Sequence, residues 1–310
     1  MKRIFIDGSA GTTGLQIHQR LAERQDLQLI ELPEELRKDE TARQEAMQAA
    51  DAIFLCLPDD AARRSVELAN GTNAVILDTS TAHRTAPGWV YGFPQLSESH
   101  RQAVQQAKRI AVPGCHASGF IALVYPLVAQ GLLPANAALS CFSITGYSGG
   151  GKQMIAAYQQ PQRDKLLTAP RQYALTQQHK HLAEMQQICG IAQKPLFSPI
   201  VADFYSGMEV TVGLFAHQLS QGVGVEQIKQ AYRKQYQGPL VTYTETAQEQ
   251  GFLSAAAFQG KDNMEITVHG CDDRILLVAR YDNLGKGASG AAIECLNLVL
   301  GQPQTSGLHL

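Results

Sequence analysis

The sequence has no uninterrupted apolar run approaching the roughly 20 residues that a membrane-spanning helix requires, which argues against a membrane protein. It opens as Met1-Lys2-Arg3-Ile4-Phe5-Ile6 and runs straight into a glycine-rich turn, without the apolar stretch and small-residue cleavage site of a signal peptide. A cytoplasmic protein is expected. Its cysteines, Cys56, Cys115, Cys141, Cys189, Cys271 and Cys295, form no C-x-x-C pair, so a zinc ribbon or dithiol redox motif is excluded and free thiols are expected. No concentrated basic tract accompanies the formal net charge of −2, which speaks against nucleic acid or anionic membrane as partner. A small soluble substrate is the remaining class. Internal repeats and low-complexity segments are also missing.

What is present is a chain of 310 residues with 45% hydrophobic content, enough for a sizeable core and longer than one usual domain. Lys2 to Asp7 reads as a strand, and Gly8-Ser9-Ala10-Gly11-Thr12-Thr13-Gly14 follows it. Leu15, Ile17, His18, Leu21 and Ala22 then recur at helical spacing. The G-x-x-G-x-x-G spacing lets backbone approach a pyrophosphate while the helix start supplies N–H donors and a positive dipole. A glycine turn alone is a weak signal; closing the first strand of the chain makes it a dinucleotide fingerprint.

The pattern repeats: Leu27 to Glu31, a polar helical stretch to Ala50, Ala52 to Leu57, a helix near Ala61 to Ala69, and Ala74 to Leu77. Alternating strands and helices predict a Rossmann-type, doubly wound parallel sheet in an α/β protein. Pro58-Asp59-Asp60 reads either as a helix start facing the cofactor edge or as simple capping by Asp59 or Asp60. Glu31 ends the second strand, where an acidic residue favours the ribose hydroxyls of NAD. Arg37 and Lys38 just beyond it suit a 2′-phosphate instead, and the choice stays open at this point.

Val112-Pro113-Gly114-Cys115-His116-Ala117-Ser118-Gly119 precedes an apolar helical run, placing Cys115 at or just before a helix N-terminus. There the thiolate is stabilised by dipole and N–H groups, which makes a nucleophile near neutral pH. A small buried cysteine is the bland alternative, but the flanking proline and glycines suggest a backbone shaped to expose the side chain. Cys56 and Cys295, inside apolar segments, read as packing residues.

Taken together, the motifs resemble the N-acetyl-gamma-glutamyl-phosphate reductases, specifically their shorter branch, within the wider group that includes aspartate-semialdehyde dehydrogenases. The resemblance spans essentially the whole chain. It is carried by Gly8 to Gly14, Asp78-Thr79-Ser80-Thr81-Ala82-His83-Arg84, Tyr91-Gly92-Phe93-Pro94, Pro113-Gly114-Cys115, Gly146-Tyr147-Ser148-Gly149-Gly150-Gly151-Lys152, His179-Lys180-His181 and Asn283 to Gly290. It implies NADP(H), an N-acetylated glutamyl phosphate as substrate, arginine biosynthesis and a homo-oligomer, dimer or tetramer. Glu31 is the one feature that sits awkwardly with NADPH.

Reducing an acyl phosphate through a thioester needs a thiolate, an acid or base, an oxyanion site and a phosphate clamp. Arg84 lies in a loop where its guanidinium can grip phosphate bidentately, with Ser80 and Ser118 as further substrate contacts; the bland reading is an arginine capping a turn. His179 and His181 are the acid/base candidates, with preference for His181. A metal shared with Cys189 is disfavoured because no further ligands stand at a recognisable spacing. Ser148 and Gly149 are expected beside the nicotinamide, although a glycine cluster also suits a plain hairpin or loop. The resemblance implies that the apolar helix after Gly290 returns to the cofactor domain, so that Lys286 and Gly287 border the NADP site.

Strand-like runs at Glu209 to Phe215, Leu240 to Thr244, Met264 to Val268 and Ile275 to Tyr281 predict a mainly antiparallel sheet backed by helices. Such a sheet offers a face for subunit contact. The expected organisation is an NADP-binding domain of residues 1–114 and 285–310 around a catalytic and oligomerisation domain of 115–284, with Gln302 to Leu310 as a short tail. The rival readings are an aspartate-semialdehyde dehydrogenase-like enzyme and a dinucleotide-binding redox sensor without catalysis.

Overall fold

A computed structural model describes residues 1–310. In chain order the elements are β1 (Lys2–Asp7), α1 (Thr12–Ala22), β2 (Leu27–Ile30), α2 (Glu40–Ala49), β3 (Ala52–Leu55), α3 (Asp59–Leu68), β4 (Val75–Asp78), β5 (Val90–Tyr91), α4 (Glu98–Gln106) and β6 (Arg109–Ala111). There follow α5 (Cys115–Ala129), β7 (Ser140–Gly146), α6 (Gly151–Gln159), β8 (Arg171–Gln172), α7 (His181–Cys189), β9 (Leu196–Ala202), β10 (Met208–Phe215), α8 (Val225–Gln235), β11 (Val241–Tyr243), β12 (Met264–Cys271), β13 (Arg274–Tyr281) and α9 (Gly290–Val299). They divide into two compact units. One comprises residues 1–94, 98–113 and 288–308, the other 95–97, 114–287 and 309–310.

The first unit is built on a six-stranded, wholly parallel sheet of order β2-β1-β3-β4-β6-β5. Alternate strand residues serve opposite faces, as the two-residue period of a strand dictates. Ile4, Ile6, Phe54 and Leu77 pack with Ile17 and Leu21 of α1, Val104 of α4 and the apolar α9. Phe5, Ile53, Leu55 and Ile76 face the other way, against Met47 of α2 and Ala62 of α3. This is the doubly wound arrangement, in which the order of successive strands reverses between β1 and β3.

Several local expectations change. The polar stretch after β2 is broken by a 3₁₀ turn at Glu34–Leu36, and α2 starts afresh where Asp39 accepts the N–H of Ala42 at 2.8 Å. Asp59 does not cap α3; its carboxylate takes the amide and hydroxyl of Thr81. The C-terminal tail is tied down, because Asn297 donates to the carbonyls of Gln304 and Ser306 while Gln304 donates to Glu294.

The second unit holds a seven-stranded mixed sheet of order β11-β12-β13-β10-β7-β9-β8, in which four of the six pairings are antiparallel. Met208, Val210, Val212 and Leu214 of β10 are buried and their neighbours are not, so one face turns to the helices. The central helix α5 is apolar on all sides and almost wholly buried. Pro126 lies inside it and has no N–H, which removes the helical donor for the carbonyl of Ala122. Tyr236 replaces that donor with its hydroxyl at 2.6 Å. β9 was hidden in the sequence by Pro199, a residue that argues against an interior strand. Gly146 to Lys152 is neither hairpin nor open loop: a 3₁₀ turn at Tyr147–Gly150 leads directly into α6.

Candidate active site

The first unit presents a cavity of about 660 Å³ at the carboxyl end of β1, lined by Gly8, Ser9, Ala10, His18, Glu31, Arg37, Lys38 and Arg43 among others. Gly8 has φ +90°, and a Cβ there would lie 2.4 Å from the carbonyl oxygen of Cys56. A Cβ on Gly14 would lie equally close to the carbonyl oxygen of Gly8. The turn is therefore bare backbone by steric necessity. Gly11 is the N-cap of α1 without any side-chain cap, and Thr12, Thr13 and Gly14 form a first turn with no acidic residue. Amide donors at the positive end of a helix dipole fit a pyrophosphate. Glu31 is engaged by Nε2 of His18 at 2.5 Å, while Arg37 and Lys38 line the same cavity.

The loop after β4 is closed by its own side chains. Asp78 accepts the amide and hydroxyl of Ser80 at 2.9 and 2.7 Å, and Nδ1 of His83 lies 2.6 Å from its second oxygen. The His83 ring stacks on Trp89 with centroids 4.1 Å apart. Arg84 donates from Nε to the carbonyl of Val112 at 2.9 Å and from a terminal nitrogen to that of Thr79 at 3.0 Å. These bonds fix the plane of the guanidinium. Ser80 thus holds the loop together with its hydroxyl.

In the second unit Cys115 is the first residue of α5, after an extended Gly114 N-cap that brings no capping side chain. The N–H of Gly114 donates instead to Oε2 of Glu184 at 3.1 Å. Glu184 and His181 lie three residues apart at the start of α7, and Oε1 of Glu184 stands 3.9 Å from Nε2 of His181. That spacing places them on one helix face. His179 precedes the helix; its ring is 4.7 Å from that of His181 and nearly perpendicular to it. The two histidines are thus together at a helix start, whereas Cys189 lies at the opposite end of α7.

His116, adjacent to Cys115, is fully buried. Its Nδ1 lies 2.6 Å from the hydroxyl of Ser143 and its Nε2 2.6 Å from that of Tyr173, and its ring centroid is 5.6 Å from His181. Burial first, and the neighbouring His179 second, push its pKa down to about 3, so the ring is neutral. Tyr173 is held well above the usual phenol range by burial and then by Cys115. Ser118 points back along α5 and donates to the carbonyl of Gly114 at 3.0 Å. Cys56, by contrast, is pushed up to about 12 by burial, and Cys295 is buried near the carbonyl of Gly92. Both suit packing.

The Ser148 hydroxyl accepts from Asn283 at 3.0 Å, and Gly149 beside it is exposed. Lys286 is buried with Nζ donating to Gln95 at 2.9 Å, inside a π-helical turn at Gly285–Ser289. The same turn brings Gly287 against Cys115: a Cβ on Gly287 would lie 3.0 Å from Cβ of Cys115. Both residues, expected at the cofactor, belong to the compact unit of the thiol. Sequence reading passed over His116, Tyr173 and Glu184. Two of them carried a usable signal, His116 by adjacency to Cys115 and Glu184 by helical spacing from His181. Tyr173 carried none.

A glycine-lined dinucleotide turn on a parallel sheet, joined in one chain to a helix-start cysteine over a mixed sheet, defines an oxidoreductase of the semialdehyde-dehydrogenase class. The semialdehyde dehydrogenase NAD-binding domain matches residues 3–106, and the semialdehyde dehydrogenase dimerisation domain matches 115–283. Among solved structures, aspartate semialdehyde dehydrogenase II of Vibrio cholerae, complexed with ASA, superposes with a TM-score of 0.73 over 97% of this chain and 98% of its own. The enzyme of Francisella tularensis does so with 0.73 over 97% and 100%. At 14% and 13% identity these likenesses establish the fold alone. N-acetyl-gamma-glutamyl-phosphate reductase 2 of Nostoc sp. is 44% identical over 99% of both chains, and the reductase of Brucella ovis 43% identical over 97% of this chain and 99% of its own. The chain belongs to the N-acetyl-gamma-glutamyl-phosphate reductase family, and is an NADP-dependent oxidoreductase.

Proposed function

We propose that the chain reduces N-acetyl-γ-glutamyl phosphate to N-acetylglutamate 5-semialdehyde and inorganic phosphate, in arginine biosynthesis, as a cytoplasmic homo-oligomer. The carrying observation is Cys115 at the uncapped start of a buried apolar helix, beside a cluster of three histidines. Aspartate semialdehyde as the product is not favoured, because full-length relatives above 40% identity bear the reductase name.

Cys115 thiolate adds to the acyl carbon, and the carbonyl re-forms as the C–O bond to phosphate breaks, leaving an acyl thioester. The amide donors of the first turn of α5 face the oxyanion of each addition. Arg84, its plane set by two backbone carbonyls, holds the phosphoryl oxygens. Bound NADPH supplies the hydride that reduces the thioester carbon. His181 donates the proton to the hemithioacetal oxygen and takes it back as the C–S bond breaks and the aldehyde leaves; Oε1 of Glu184 lies 3.9 Å from its Nε2. Backbone from Gly8 to Gly14, with Ser9, Ala10, Thr12 and Thr13, holds the pyrophosphate. Arg37 and Lys38 hold the 2′-phosphate, and the engagement of Glu31 by His18 leaves that end of the cavity suited to NADP rather than NAD. Ser148, Gly149, Lys286 and Gly287 frame the nicotinamide end.

Phe142, Leu196, Phe215 and Leu276 are 46% to 61% exposed on four strands of the second sheet, and this apolar face serves as the subunit contact. The activity is tested by steady-state assay in the phosphorolytic direction with N-acetylglutamate semialdehyde, phosphate and either NADP or NAD. Turnover dependent on phosphate and faster with NADP is expected. Turnover of aspartate semialdehyde alone would overturn the substrate.

A further inference from the structure

Tyr281, the last residue of β13, is fully buried and reaches the start of α5 from the sheet beneath it. Its hydroxyl donates to the carbonyl oxygen of Cys115 at 2.5 Å and accepts the N–H of Gly119 at 3.0 Å. A carbonyl and the amide four residues on are the two groups that a regular α-helix joins directly in its first turn. Here a phenol touches both groups from the side and braces the first turn of the continuous helix. Gly119 makes the approach possible, since a Cβ there would lie 2.7 Å from the Tyr281 oxygen. Burial, and then the thiol of Cys115, hold this phenol well above its usual range, so it remains a proton donor.

We propose that Tyr281 is a positioning residue for the nucleophile: its hydroxyl fixes the first turn of α5 and polarises the peptide bond joining Cys115 to His116. Donation to the Cys115 carbonyl draws electron density from that peptide and strengthens its N–H, which belongs to the amide end of the helix beside the thiolate. The link runs from phenol hydroxyl through one peptide to the nucleophile's surroundings, with no bond broken. The inference rests on Cys115 as nucleophile. It is independent of which acyl group the thiol carries.

The test is the pH profile of Cys115 alkylation by iodoacetamide in the full-length protein, read peptide by peptide in a mass spectrometer, with the exposed Cys271 as internal reference. The titratable groups around the thiol are Glu184 of α7, Tyr173, the imidazoles of His116, His179 and His181, Lys286 and Tyr281; all but the last stay the same in Tyr281→Phe. That variant raises the midpoint of the Cys115 profile by about one pH unit and slows its alkylation below neutral pH about tenfold, leaving Cys271 unchanged. Tyr236→Phe is the control, because it loses a comparable buried phenol–carbonyl bond on the same helix, at Ala122. It keeps the wild-type Cys115 profile. An unshifted profile in Tyr281→Phe, or an equal shift in Tyr236→Phe, overturns the proposal. If Tyr281→Phe does not fold, 3-fluorotyrosine placed at 281, a stronger donor of nearly the same shape, lowers the midpoint; an unmoved midpoint there is equally fatal. Because no substrate enters the measurement, a wrong substrate assignment shows itself separately, as absent turnover in the phosphorolytic assay.

Discussion

The two ends of the chemistry are built from different materials. The dinucleotide cavity of the first unit is largely backbone and exposed charge. Gly8 and Gly14 are bare because neighbouring carbonyls stand 2.4 Å from where a Cβ would be, and Glu31, Arg37 and Lys38 sit at an open rim. The thiol neighbourhood of the second unit is side chain and burial. His116, His181, Glu184 and Tyr281 are all nine-tenths or more buried, and His116, Glu184 and Tyr281 each reach a partner on a different element or a distant stretch of chain. A site made of backbone tolerates changes at its rim, whereas a buried polar network loses much when one member goes.

The largest contrast is therefore expected at His181. His181→Asn lowers kcat by about 10²- to 10⁴-fold while NADPH binding, followed by fluorescence titration, is unchanged. Retention of kcat within a few-fold would move the proton to His179. Arg84→Ala comes next, with roughly a tenfold to hundredfold loss in kcat/KM that falls on the phosphate-bearing substrate. An unaltered dependence on phosphate in the reverse assay would remove Arg84 from the site and leave it as the tie between Thr79 and Val112.

The buried network also makes a statement about acid. The folded pKa of His116, about 3, lies below the value near 6.5 of an unfolded histidine. In that window the unfolded chain binds the proton and the folded chain does not, so stability is fully present above about pH 6.5 and declines as pH falls toward 3. Urea denaturation of His116→Gln should show a shallower decline over this range than wild type; equal slopes would mean that the imidazole is reached by solvent. The smallest effect belongs to the rim. Arg37→Ala should reduce the preference for NADP over NAD only a few-fold, as one exposed charge allows, and a complete reversal would show that Lys38 and Arg43 contribute nothing there.

The same contrast explains what could be read in advance. The parallel sheet, its helices and the glycine turn follow from local periodicity and spacing, and Gly8 to Gly14 stand in sequence as they stand in space. Cys115 at a helix start was legible because proline and glycine flank it. The rest of the thiol neighbourhood was not, since Tyr281 and Cys115 lie 166 positions apart and Glu184 and Gly114 are 70 apart. Pairings of that kind are made by the order of strands in a mixed sheet, which no short pattern records. Ser80 and Ser118 show the converse. Both lie in suggestive motifs, yet their hydroxyls close a loop and a helix turn. The π-helical turn is a further case: the family resemblance implies Lys286 and Gly287 as cofactor residues, and the turn sets Gly287 against Cys115.

The central claim is that the acyl group passes through Cys115. It is tested most directly by mixing the enzyme with carbon-labelled N-acetylglutamyl phosphate in the absence of NADPH, quenching in acid, and measuring released phosphate and the labelled peptide together. One equivalent of phosphate, with the label on the peptide containing Cys115 and none in Cys115→Ser, is the expected result. Label on another residue, or full turnover by Cys115→Ser when NADPH is restored, would contradict the account.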